Sequence, residues 1–210
     1  MGKRENIQQQ LAKFIPQEFT EYVADLLFSS KVAFKVSKPR KTKLGDYRPP
    51  FKDDYHRISV NGNLNQYQFL ITTLHEFAHM QTYLSHGWKV KAHGEEWKNN
   101  FKELLLPLLN SEHIPKDIKL ALRNSITKLK ASSCTDLALS RVLKRYDATN
   151  EMRLTVEELP FGAVFELNSK QFKKGKLRRK RFLCEEISSG KLYLVHCLAE
   201  IKKIEINEHK

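Results

Sequence analysis

His75-Glu76-Phe77-Ala78-His79 is the segment in which residue type and spacing most directly specify chemistry. Four residues make about one helical turn. On a helix the two imidazoles therefore project from one face and can share a divalent cation through neutral nitrogens, at the ~2.0 to 2.1 Å that zinc prefers. Glu76, one residue on from His75, can reach a water on that cation without ligating it. Zinc lowers the pKa of such a water to ~7, and a carboxylate that takes its proton and returns it to a leaving nitrogen makes the set hydrolytic toward a peptide carbonyl. The pattern also arises by chance in many helices, as two half-exposed histidines. Here it lies inside an apolar stripe, where two imidazoles and a carboxylate are expensive to bury without a shared purpose.

A catalytic zinc takes three protein ligands and keeps one position open. Downstream, His86, His93, Glu95 and Glu96 are available. His86, seven residues past His79, is turned away from the paired imidazoles and reads as a surface residue. Thr82 and Ser85 stand where the metzincin spacing requires Gly and His. His93 follows a Gly-containing loop and directly precedes Gly94 and a further helix, so the chain can fold back and deliver its ring. His93 is the favoured third ligand and Glu96 its competitor. A structural zinc closed by four protein ligands would have no use for Glu76.

These residues need elements to hold them. Asn65 can cap a helix whose stripe is Phe69, Leu70, Thr73, Leu74, Phe77 and Ala78, with Gly87 as its stop. Trp97, Phe101, Leu104, Leu105 and Leu108 predict the next helix, which Pro107 ends or kinks. Trp97 and Phe101 read as packing anchors. Upstream, a helix is predicted from about Pro16 to Phe28. Val32, Phe34 and Val36 alternate with Lys31, Ala33 and Lys35 as a strand, and shorter strands are expected near Thr42–Tyr47 and His56–Val60. Two more helices are expected near Lys116–Leu129 and Asp136–Tyr146.

After about Thr149 the pattern changes to short β-like runs, Ala163–Leu167, Arg181–Cys184 and Leu192–Val195, separated by turn signals such as Ser189-Gly190. The fold class is therefore α+β, with a main domain over 1–150 and a small β module over 151–210. A chain of 210 residues, 40% hydrophobic, can bury one sizeable core and a satellite.

The formal charge of +13 attracts polyanions, and nucleic acid is the first partner to consider. Residues 31–57 hold nine Lys or Arg, and residues 170–181 hold eight. Lys31, Lys35, Arg40, Lys41 and Lys43 in the first cluster, and Lys173, Lys174, Arg178 and Arg179 in the second, are the nucleic-acid candidates. Tyr47, Tyr55 and Phe172 lie nearby and could stack on unpaired bases. An ordinary solvated face is the alternative for both clusters. His56, His113, His196 and His209 have no partner at ligand spacing. Cys134, Cys184 and Cys197 form no CxxC pair and read as reduced thiols, Cys134 as a buried or capping-region one. The amino terminus lacks the apolar core of a signal peptide and no stretch reaches the ~18 apolar residues of a span, so the expectation is a soluble, cytoplasmic protein away from the membrane.

Leu74-His75-Glu76-Phe77-Ala78-His79-Met80 followed by Ala92-His93-Gly94-Glu95-Glu96-Trp97-Lys98 resembles the SprT-like zinc proteases, which join His-Glu-x-x-His to a downstream His-Gly-x-x-Trp or Phe. Arg40–Gly45 and Ile58–Asn61 are similar to strand segments of that domain, so the resemblance covers about residues 16 to 110. It implies a zincin-like domain of helices on a small sheet, His75, His79 and His93 as ligands of one catalytic zinc, and Glu76 as general base. The family includes Spartan-type enzymes, which digest proteins covalently trapped on DNA. Its implied function is a zinc endopeptidase with a protein substrate and DNA as a partner. Many relatives end in a zinc ribbon with paired cysteines; without them, the β module is expected to keep a ribbon-like shape around Phe165, Leu167, Phe182, Tyr193 and Val195, with no second zinc. The rival is a non-proteolytic protein in which zinc only stabilises a nucleic-acid-binding domain that assists transcription or repair.

Overall fold

Ile58 and Val60, fully buried on the central strand of a three-stranded sheet, lie under the helix that carries the two paired histidines. That contact organises the amino-terminal part of the chain. The computed structural model describes residues 2–40, 42–52, 54–128, 136–147 and 154–203. Lys41, Cys134 and His209 lie outside them. Two compact units divide the chain, Met1–Ala148 and Thr149–Lys210, and six helices and two sheets are seen among the described residues, an α+β arrangement.

The first unit opens with α1 (Lys3–Leu11), a largely polar helix. Sequence periodicity does not reveal it, because only Ile7 and Leu11 are apolar along it. Glu5 accepts from the Gly2 N–H at 2.8 Å, and Arg4 bridges to Glu21 and Asp25 at 3.0 and 2.6 Å on the next helix. That helix, α2 (Thr20–Ser29), follows a single 3-10 turn at Gln17–Phe19 and buries Val23, Ala24 and Leu27.

Then come β1 (Val32–Ser37), β2 (Gly45–Arg48) and β3 (His56–Asn61). The order is β1-β3-β2, with β1 parallel and β2 antiparallel to β3. Parallel neighbours need a return path between them, and β2 supplies it. Register aligns Phe34 and Tyr47 with Ile58, and Val36 and Gly45 with Val60. Asn61, 1% exposed, ties the β1–β2 connection to the sheet: it donates to the carbonyls of Arg40 and Lys43 and accepts from Arg40 Nε at 2.8 Å.

α3 (Gln66–His86) runs unbroken for 21 residues between the predicted cap and stop. Asn65 Oδ1 accepts from the Gln68 N–H at 2.9 Å. Gly87 takes φ +60, where a side chain would be strained, and its N–H closes on the Tyr83 carbonyl. α4 (Glu95–Asn110) packs on α3 through Trp97, Phe101, Leu104, Leu105 and Leu108. Pro107 lies inside α4 without ending it. The proline is exposed while Leu108 is fully buried, so packing carries the last turn past the missing donor. α5 (Lys116–Lys128) and α6 (Leu137–Lys144) add Ile118, Leu122 and Leu143 to the same core. No helix among the described residues is long and apolar enough to cross a membrane.

The second unit is a sheet of β4 (Val164–Leu167), β5 (Lys170–Lys173), β6 (Leu177–Arg178), β7 (Arg181–Glu186), β8 (Leu192–His196) and β9 (Lys202–Lys203). Phe165 and Val195 are in its core, with Leu167 and Phe182 against it. Tyr193, expected in that core, is 39% exposed, with its hydroxyl on Glu186. Phe172 takes the core place instead, 5% exposed and stacked on Phe165.

Asn65 also donates to the Leu143 carbonyl and to Asp147 at 2.8 and 2.7 Å, coupling the start of α3 to α6. Asn65→Ala is expected to lower unfolding free energy by about 1 to 2 kcal/mol in urea titration. Asn65→Asp keeps the cap acceptor but sets a carboxylate oxygen against Asp147 and the Leu143 carbonyl, so it is expected to be no more stable than Asn65→Ala at pH 7.

Candidate metal centre

His75 and His79 are one turn apart on α3, and His93 sits at the end of the loop that enters α4. The loop turns back through Gly87 and closes with the Gly94 N–H on the Lys91 carbonyl. Trp97, one turn into α4, is 1% exposed, with its ring centroid 4.7 Å from those of His75 and His93 and 5.4 Å from that of His79. Phe101 stacks beneath it at 4.9 Å. This floor holds three imidazoles from two elements at one point. Among the described residues the buried indole Nε1–H has no acceptor, an omission of about 1 to 3 kcal/mol that the aromatic packing must outweigh.

The nitrogens converge. His79 Nε2 and His93 Nε2 lie 3.2 and 3.4 Å from His75 Nε2. Two nitrogens on a tetrahedral ion at ~2.0 to 2.1 Å are about 3.3 Å apart, so the spacing fits a shared ion without rearrangement. Burial lowers the pKa of His75 to about 3 and of His79 to about 4, with repulsion from His93 adding to both and from His79 to the first. Burial also lowers that of His93. All three rings are therefore neutral near pH 7, the form that ligates a metal. Among the described residues, His75, His79 and His93 form the one group of His, Cys, Asp or Glu able to hold an ion. Glu96, the competitor for third ligand, is outside it, and His86 is exposed at the end of α3.

Glu76 is outside the ligand group and lies against β2, lining the same cleft as the three imidazoles. It is 6% exposed and accepts a hydrogen bond from the Tyr47 main-chain N–H. Burial, then repulsion from Asp46, raises its pKa to about 7, against the pull of Arg40 and Lys43. The carboxylate fits because position 45 is glycine: a Cβ there would collide with it, standing 2.8 Å from the Glu76 Cδ. Tyr47, two residues on and hence on the same face of β2, stacks parallel to His79 at 6.5 Å and shares a 2.9 Å hydrogen bond with His56 Nδ1. The sequence assigns no role to Gly45 or Tyr83, reads His56 only as a surface or core histidine without a partner at ligand spacing, and reads Tyr47 as a stacking surface. The i, i+2 relation of Gly45 and Tyr47 was the available signal.

The basic residues sort differently. Lys31, Lys35, Lys173, Arg178 and Arg179 are exposed. Arg40 is a strut, bonded to Asn61, to the Ser59 hydroxyl and carbonyl, and to the Leu44 carbonyl. Lys43 pairs with Asp46 at 2.7 Å. Lys174 is not on the surface: it is 5% exposed, donates to the carbonyls of Glu157 and Leu159, and lies 4.1 Å over the Phe182 ring. Phe172 is buried and offers no face to a base.

His75→Ala, His79→Ala and His93→Ala are each expected to lose the bound metal on desalting, while Glu96→Ala keeps one ion per chain, as read by elemental analysis. Gly45→Ala should destabilise the fold by about 1 to 3 kcal/mol, and Glu76→Ala in the same chain should recover most of that loss. A double-mutant cycle in urea measures the coupling.

Residues 9–112 match the model of the SprT-like family. No match was found among curated proteins or among solved structures. The matched span begins within α1, ends just past α4, and includes the three imidazoles, Glu76, Gly45 and Tyr47. Residues 9–112 of this chain, which carry the whole centre, belong to the SprT-like family.

Proposed function

We propose that the first unit is a zincin-like endopeptidase domain in which His75, His79 and His93 hold one catalytic zinc through Nε2. The observation that carries this reading is the convergence of three neutral imidazole nitrogens, 3.2 and 3.4 Å apart, beside a buried carboxylate outside their set. Three ligands leave a position open, and the adjoining acid fits hydrolysis rather than a closed structural site. Membership of the SprT-like family supports the same conclusion. Zinc, when bound, supplies Lewis acidity to a water and to the carbonyl under attack.

The chain's own residues do the rest. A Glu76 carboxylate oxygen takes a proton from the attacking water as its oxygen bonds to the peptide carbonyl carbon, then gives that proton to the departing amide nitrogen as the C–N bond breaks. The Tyr47 N–H and the space at Gly45 hold that carboxylate in place. Trp97 and Phe101 close the far side of the centre against water.

The substrate class we favour is protein associated with nucleic acid. The net charge of +13 and the exposed Lys31, Lys35, Lys173, Arg178 and Arg179 support it. Glu76→Gln keeps shape and hydrogen bonding but cannot accept the proton. With both proteins zinc-loaded, a protein substrate presented with and without single-stranded DNA is expected to be cleaved by the parent chain, and by Glu76→Gln at least ~100-fold more slowly. Equal rates would remove Glu76 from the mechanism. Absence of cleavage by either would favour the reading in which zinc only stabilises a nucleic-acid-binding domain.

A further inference from the structure

Beyond the three imidazoles and Glu76, the same cleft of about 410 Å³ is walled by Tyr47, Tyr83 and Trp88. The rings form a graded series. Tyr47 lies parallel to His79, Tyr83 is 6.3 Å from Tyr47, and Trp88 meets Tyr83 edge-on at 5.3 Å. The wall therefore starts at the reacting centre and leads away from it.

Its inner members are fixed before anything binds. Tyr47 is held by its hydrogen bond to the buried His56, and the edge of His56 also packs against Tyr83 at 5.9 Å. Trp88 follows Gly87, whose N–H is bonded to the Tyr83 carbonyl, so the loop sets the indole beside the ring it touches. Yet Trp88 is 79% exposed. A single exposed aromatic is ordinary on a protein surface; what distinguishes this indole is that it lines the cleft of the three imidazoles and continues the aromatic wall from Tyr83.

The charge of the cleft narrows the occupant. Asp46, Glu76 and Lys91 line it, and Asp46 is already paired with Lys43 and Arg48, which leaves Lys91 as the one cation of the lining. That balance suits a neutral peptide better than a phosphodiester, whose binding depends on cations. A polypeptide advances about 3.3 Å per residue when extended, so with its carbonyl at the imidazoles a neighbouring side chain falls against the wall.

We propose that Tyr47, Tyr83 and Trp88 form a side-chain subsite that selects an aromatic or long aliphatic residue flanking the scissile bond. The proposal rests on the peptidase reading and names its substrate preference. Two otherwise identical ten-residue peptides, one with Phe and one with Ala at the position facing the wall, discriminate it. Their affinities are measured by fluorescence anisotropy on the zinc-loaded Glu76→Gln protein, scanning the Phe along the peptide. At the best position Phe is expected to bind about 10-fold or more tighter than Ala. That ratio should collapse toward unity with Trp88→Ala or Tyr83→Ala added and return with Trp88→Phe, at unchanged zinc content and circular dichroism.

Equal affinity for both peptides at every position, or a preference that survives both alanine substitutions, would overturn the subsite. So would an oligothymidylate that displaces the Phe peptide and loses its own binding on Trp88→Ala, which would make the wall a base-stacking surface. Because binding is read on a chain that cannot hydrolyse, a failure of cleavage by the parent enzyme counts against the peptidase and leaves the binding ratio to judge the subsite separately.

Discussion

Two imidazole nitrogens, of His79 and His93, are held 3.2 and 3.4 Å from that of His75 at the edge of an apolar core, and most of the first unit is arranged to keep them there. Lone pairs facing one another repel unless a proton or a cation stands between them, and burial denies each ring a second proton. Two of the rings come from consecutive turns of α3, which needs 21 uninterrupted residues and a defined start and stop. The third is returned by the loop after Gly87 and pressed home by Trp97, which touches all three. The polar centre thus rests on apolar contacts of the core. Ile58 and Val60 support α3 from the sheet, and Leu104, Leu105 and Leu108 support it from α4.

The edge strand β2 supplies the second half of the design. A carboxylate 6% exposed is a destabilising element unless its surroundings tolerate both protonation states. Here the strand offers a main-chain N–H, an absent side chain at position 45, and two cations near enough to be felt. Arg40 explains how such a short strand stays in position. Its guanidinium bonds to Asn61, Ser59 and Leu44, joining the β1–β2 connection to the central strand. A residue that charge alone nominates for polyanion binding thus maintains the geometry of the site.

What could be read in the sequence was whatever is encoded by local period and punctuation. Asn65 and Gly87 bracket α3 as capping chemistry requires, β1 follows its alternation through Phe34 and departs from it at the exposed Val36, and the spacing of His75, His79 and His93 makes the cluster foreseeable from the turn of a helix and the return of a loop. What was not legible depends on contacts across the fold. α1 lacks an apolar stripe and is anchored by Arg4 to acids 17 and 21 residues away. His56 and Tyr47 are brought together by strand register, which no local pattern displays. In the second unit, the run of cations from 170 to 181 reads as surface because charge dominates the segment. Strand alternation nonetheless turns Phe172 and Lys174 inward, where Lys174 finds main-chain carbonyls and a ring face.

The central claim is that the three nitrogens share one ion with a position left open and Glu76 outside the ligand set. Diffraction from crystals of the full chain grown with zinc, with data on both sides of the zinc absorption edge, tests it most directly. The account predicts a single anomalous peak bonded to Nε2 of His75, His79 and His93, with no fourth protein ligand. An ion closed by Glu76 or Glu96 as a fourth ligand, or a peak elsewhere with His93 turned away from the other two rings, would contradict it.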